Sequence, residues 1–110
     1  MATGRLATPI QVGNSLGTNT LLYTVPTGFY SVFNVSLTNT STSPVTFRLA
    51  VATSTTPGTA EYIEYDTTIV GKGVFARTGL VANEGLNIVC VAGTNTVLNA
   101  TVYGIETSTT

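Results

Sequence analysis

The stretch FYSVFNVSLTNTSTSPVTFRLAVA, residues 29–52, decides the fold. In its first half Phe33, Val35 and Leu37 share a face with Ser31, while Tyr30, Asn34 and Ser36 point the other way. In its second half Val45, Phe47, Leu49 and Val51 alternate with Thr46, Arg48, Ala50 and Ala52. A period of two is the signature of a half-buried β-strand, because successive side chains leave opposite faces of the pleat. The polar segment between the halves, residues 39–44, reads as a loop joining antiparallel neighbours.

Working outward, turn signals recur every 8 to 15 residues or so, as in sandwiches and barrels of short strands. They fall at Asn14 and Gly17, Pro26 with Gly28, Pro57-Gly58, Gly71 with Gly73, Asn83 with Gly85, and Gly93 with Asn95. No window carries helical periodicity with caps. The predicted strands are 20–25, 29–38, 45–53, 60–69, 73–78, 86–92 and 97–105, with a short one near 4–8. The expected fold is an all-β antiparallel sandwich of seven or eight short strands, jelly-roll or immunoglobulin-like. Residues 1–12 read as an N-terminal arm, 13–106 as the sandwich domain and 107–110 as a frayed tail.

Composition agrees with sheets. Only 8% of the 110 residues are charged, against about 25% in ordinary domains. The polar surface is built from 23 Thr, 8 Asn and 7 Ser instead, and threonine suits a pleated, half-buried surface. The net charge of −1 excludes a strongly basic nucleic-acid platform. No apolar run approaches the 18 or so residues of a membrane-spanning helix, and the start, MATGRLATPIQVG, has no signal-peptide core. Cys90 is the only cysteine, so an internal disulfide is impossible. It lies in an apolar run and reads as a small buried hydrophobe.

Three runs are apolar on both faces: 21–25, 86–91 and 97–105. A sandwich has one interior, so their second faces need a cover. Leu21, Tyr23, Val89, Val91, Val97 and Tyr103 are therefore the expected subunit-interface residues.

The search for chemistry yields little. The chain has no histidine, the commonest general base and metal ligand. GKG at residues 71–73 lacks phosphate-loop spacing and reads as a hairpin turn. Glu64 and Asp66 fall on one predicted strand face with Tyr62, an arrangement open to glycoside hydrolysis or calcium binding. A solvated face, with ion pairs to Arg48 or Arg77, is the simpler reading. We expect no catalytic residue, metal or cofactor.

The strings ATGRLA, LLYTVPTGFYSVFNVSLTN, AEYIEYDTTIVGKGVFARTGLV and the ending VYGIE resemble small virion structural proteins of tailed bacteriophages, including cyanobacterial phages. The resemblance spans residues 2–106, and its motif Tyr23-Thr24-Val25-Pro26-x-Gly28 marks many small phage β-domains, in fibres as well as on heads. It implies a β-sandwich module, often trimeric, on a capsid or tail. The resulting expectation is a capsid decoration (cement) protein. It would be homotrimeric and bound to the major capsid protein or another virion protein, with an arm around Arg5 and Leu6 reaching onto the shell. Its place would be the virion, assembled in the host cytoplasm, with no nucleic-acid or membrane partner. The alternatives are a tail, collar or fibre module and, from a different class, a carbohydrate-binding or hydrolytic domain built on Glu64 and Asp66.

Overall fold

A computed structural model describes residues 3–12, 19–93 and 97–109. It contains β1 (Thr3–Arg5), β2 (Ile10–Gln11), β3 (Thr20–Thr24), β4 (Phe29–Asn39), β5 (Val45–Ala52), β6 (Tyr62–Ile69), β7 (Val74–Ala82), β8 (Asn87–Ala92) and β9 (Leu98–Ser108). One turn of 3-10 helix, Thr59–Glu61, precedes β6. The turns expected at Asn14 and Gly17 and at Asn95 lie outside the described residues.

Two antiparallel sheets pack face to face. The first runs β1–β9–β4–β7, with β2 also on β9, and the second runs β3–β8–β5–β6. β5 and β6 are the consecutive strands that pair with each other; from β2 onward the remaining connections cross between sheets. β1 and β2 are two halves of one edge strand, interrupted near Pro9, whose ring leaves no N–H for a ladder. Counted so, the eight strands have jelly-roll connectivity. An immunoglobulin sandwich would instead pair consecutive strands repeatedly within a sheet.

The two runs of the opening stretch are therefore not neighbours. β4 and β5 lie in opposite sheets, and residues 40–44 arch between them. Buried Asn39 holds the arch. Its amide donates to the carbonyls of Ser43, Ile69 and Val70, and its Oδ1 accepts from the Ser41 backbone and hydroxyl. GKG likewise connects β6 to β7 across the sheets and is not a hairpin turn. A Cβ on Gly71 would lie 2.2 Å from the Thr42 carbonyl oxygen, so this crossing packs on the arch too closely for any side chain.

The interior is filled from both sheets. Phe33, Val35 and Leu37 of β4 and Leu98, Ala100 and Val102 of β9 meet Phe47 and Leu49 of β5 and Ile88 and Cys90 of β8. Val45 is buried as well, and Val51 is half-buried against the cluster.

Four register shifts, on three strands, change the alternation that the sequence suggests. One extra residue on β3 between the Leu21–Val89 and Tyr23–Ile88 pairs turns both Leu22 and Tyr23 inward. On β7 an extra residue at Gly79, with φ +72°, is held by Asn34 Oδ1 accepting its N–H at 3.0 Å. Glycine accepts that conformation without strain, so the strand continues to Ala82 instead of ending near 78. β6 carries two register shifts against β5 and a positive φ at Asp66.

Residues 3–12 and 107–109 also differ from expectation. Residues 3–12 pair onto β9 and belong to the sandwich. Ser108 pairs with Phe29, and the Thr109 N–H donates to the Gly28 carbonyl, so residues 107–109 extend the sheet instead of fraying.

Candidate interaction surface

The outer face of the first sheet carries an apolar zone that nothing in the described chain covers. Strand register sets Val81 beside Val32, Val32 beside Ile105 and Ile105 beside Thr3, one row across β7, β4, β9 and β1. Val81 is 65% exposed, Ile105 46% and Val32 39%. Tyr30 and Tyr103, each 37% exposed, flank the row along the strands. Alternation explains the row: these residues are out of phase with Ser31, Phe33, Val35, Leu98, Ala100 and Val102, which the interior claims. Among the described residues the one ionised side chain on this face is Arg5, at the margin beside Tyr103.

Toward the other end the same face becomes polar. A shallow cleft of about 510 Å³ is lined by Pro9, Ile10, Gln11, Thr38, Asn99 and Thr101. Asn99 Oδ1 is buried there without a donor among the described residues.

The expected interface residues divide. Leu21 and Tyr103 are exposed. Tyr23 is buried in the core, brought inward by the β3 bulge. Val89 and Val91 are 1% and 5% exposed, so a single chain already encloses them and no partner is required. Val97 is half-buried, and its carbonyl accepts from the Thr40 N–H at 2.8 Å and the Thr40 hydroxyl at 2.9 Å. Of the arm residues, Arg5 is exposed. Leu6 packs on the core and donates its N–H to the Val102 carbonyl, so the arm lies along β9 and does not extend from the body.

The acidic residues are separated by the β6 bulges. Glu64 reaches across the sandwich edge to Arg77, with Nη1 2.5 Å from Oε2. Asp66 pairs with Arg48 of its own sheet at 2.7 Å, and the Arg48 guanidinium lies 4.1 Å from the centre of the Tyr65 ring. Glu64 and Asp66 therefore do not share a face, and no paired-carboxylate site forms between them. Arg48 holds Asp66 below the usual carboxylate range by its hydrogen bond. Glu61 is likewise lowered, because its carboxylate accepts the Gly58 and Thr53 backbone N–H groups. Among the described residues no cluster of three His, Cys, Asp or Glu is placed to hold a metal.

Two groups are buried with altered chemistry. Burial pushes the Cys90 thiol up to about 12, which removes its thiolate at neutral pH. Tyr23, Ser31 and Glu106 form a buried polar cluster. The Tyr23 hydroxyl donates to Glu106 Oε2 at 2.5 Å and lies 2.6 Å from Ser31 Oγ, which is left as donor to it. Sequence reasoning missed this cluster: alternation sets Glu106 in phase with Leu98, Ala100 and Val102, but its charge and its place near the end of the strand argue for solvent.

Comparison with protein-family models, with curated proteins and with solved structures finds no match.

Proposed function

We propose that the chain is a structural protein of a phage virion, a decoration protein that binds the assembled shell through the major capsid protein and stabilises it by mass action. The observation that carries this reading is the exposed apolar row Val81–Val32–Ile105 with its flanking tyrosines. Contiguous apolar surface on a weakly charged chain suits a subunit that works docked to others. The jelly-roll connectivity supports it by analogy alone, since capsid domains are among the proteins that use this fold. The sequence resemblance to phage virion proteins points the same way.

Quantitative mass analysis of purified particles from a phage encoding the chain tests the proposal. Hundreds of copies per particle are expected. Tens or fewer would favour a tail, collar or fibre module, and absence from the particle would refute a virion role.

A further inference from the structure

We infer that the polar cleft over β2, β9 and β4 is a binding site for a neutral sugar. The site goes beyond a structural role, and it shares no residue with Glu64 and Asp66.

Strand register builds its floor. Gln11 of β2 stands beside Asn99 of β9, and Asn99 beside Thr38 of β4, a row of two amides and a hydroxyl. Thr101 follows two residues along β9, with Ser36 beside it. Strands lie about 4.8 Å apart, so the row is ~10 Å wide. Pro9 and the partly exposed Ile10 add an apolar wall. Tyr103, two residues beyond Thr101 on the same strand face, offers an exposed aromatic ring. The volume of about 510 Å³ lies in the range of small-molecule sites, roughly 300–1,000 Å³. Asn99 Oδ1 is the atom that asks for an occupant. It is buried with no donor among the described residues. A buried acceptor left unpaired is costly, and a ligand O–H pointed at it removes that cost.

The chemistry of the lining selects the class of ligand. No ionised side chain lines the cleft. Arg5 lies beyond it beside Tyr103, and the Lys72 ammonium donates to the Thr40 carbonyl at 2.8 Å. A phosphate or carboxylate would therefore enter without a counter-charge, and a nucleotide backbone would find no cation row. An extended peptide binds by adding a strand to an open edge. Here β9 is already paired on both sides, and β2 is a two-residue edge preceded by Pro9, which has no N–H to give. A wholly apolar ligand would leave the amides unpaired. A sugar meets each condition. It is uncharged, its hydroxyls both donate and accept as amides and threonines do, and its C–H faces suit Ile10, Pro9 and the Tyr103 ring.

The test is a ¹⁵N–¹H NMR titration of the full chain with D-glucose, D-galactose, D-mannose and N-acetyl-D-glucosamine. Inorganic phosphate and a neutral tripeptide serve as comparison probes. An open cleft with uncharged contacts holds a small ligand weakly, with Kd on the order of 1 mM for the best sugar. Shifts are expected at residues 9–11, 36–38 and 99–103 and at the Asn99 and Gln11 side-chain amides, with none of these from phosphate or the tripeptide. Asn99→Ala and Gln11→Ala should each weaken binding about 3- to 10-fold. Thr46→Ala, on the other sheet, should titrate as the unmodified chain does. Gln11 is exposed, so its variant decides the matter if Asn99→Ala fails to fold. No shift with any of the four sugars, shifts centred elsewhere, the same shifts from the tripeptide, or an unchanged titration in Gln11→Ala would each overturn the inference. The titration uses the isolated chain, so its outcome is separate from that of the particle analysis.

Discussion

Arg77 of β7 and Glu64 of β6 join the two sheets at their open edge, Nη1 to Oε2 at 2.5 Å, with a second contact from Arg77 to the Ile63 carbonyl at 3.3 Å. β6 and β7 are the terminal strands of their sheets on that side, and the pair spans the gap between them. The Glu64 side chain is 19% exposed and Arg77 39%, so water screens the pair in part. Arg77→Ala should lower stability by about 1–2 kcal/mol in urea denaturation. A double-mutant cycle with Glu64→Gln should show coupling that weakens with added salt. Additive effects would mean that the pair does not hold the edge.

Phe47 is 1% exposed, and its ring centre lies 4.9 Å from that of Phe75, linking β5 to β7 through the interior. Phe47→Ala should cost about 3–5 kcal/mol, because it removes transfer energy and leaves a cavity. Thr46 is exposed beside it, and Thr46→Ala should stay within about 0.5 kcal/mol of the unmodified protein. Equal effects of the two substitutions would contradict the inward assignment of the β5 faces.

The inward faces of β4 and β5 were legible because each strand is long and alternates cleanly, and Leu98, Ala100 and Val102 of β9 were read as sharing one face although that run is apolar on both. Partner choice was not. The loop at 39–44 looked like a hairpin, since sequence shows a turn's polarity but not whether it bends within one sheet or arches to another. Side-chain direction failed at Tyr23, Glu64 and Asp66 for a single reason. One inserted residue reverses every orientation beyond it, and bulges in TLLYT and YIEYD have no local marker as clear as Gly79 in β7. Val89 and Val91 looked in need of a partner because they are apolar on the outer face. β8 is a central strand, flanked by β3 and β5, and the chain encloses them itself.

Gly104 of β9 lies opposite Phe33 of β4, where the β4 backbone leaves no room for a side chain. A Cβ built there would sit 2.1 Å from the Val32 carbonyl oxygen and 2.7 Å from Phe33 Cα, both backbone atoms that cannot rotate away. Gly104→Ala should therefore force the central strands of the first sheet apart and cost about 3 kcal/mol or more, at the upper end of overpacking effects. By contrast, a Cβ on Gly4 would meet nothing within 4 Å. Gly4 does have φ +90°, so Gly4→Ala adds backbone strain and should cost about 1 kcal/mol. Comparable thermal midpoints for Gly104→Ala and the unmodified chain would refute the close approach.

The buried cluster gives the protein an alkaline limit. The Tyr23 pKa is pushed up to about 12 from 10.0, first by burial and then by the hydrogen bond to Glu106. The folded state thus holds the Tyr23 proton more tightly than the unfolded chain does. For a group whose folded pKa is raised, the stabilisation is fully present below the unfolded value, and it is lost as pH rises through the folded value. The window is therefore about pH 10 to 12, and two units correspond to roughly 2–3 kcal/mol. Denaturation midpoints should be flat near Tyr23's contribution up to pH 10 and then fall. Tyr23→Phe removes the titrating hydroxyl and should flatten the part of that fall that Tyr23 causes. It also leaves Glu106 and Ser31 without their shared partner, which should cost about 1–3 kcal/mol at neutral pH. Tyr23→Phe combined with Glu106→Gln should recover part of that loss, because the amide needs less compensation than a carboxylate. An alkaline profile identical in the unmodified and Tyr23→Phe proteins would show that the Tyr23 hydroxyl does not set the limit.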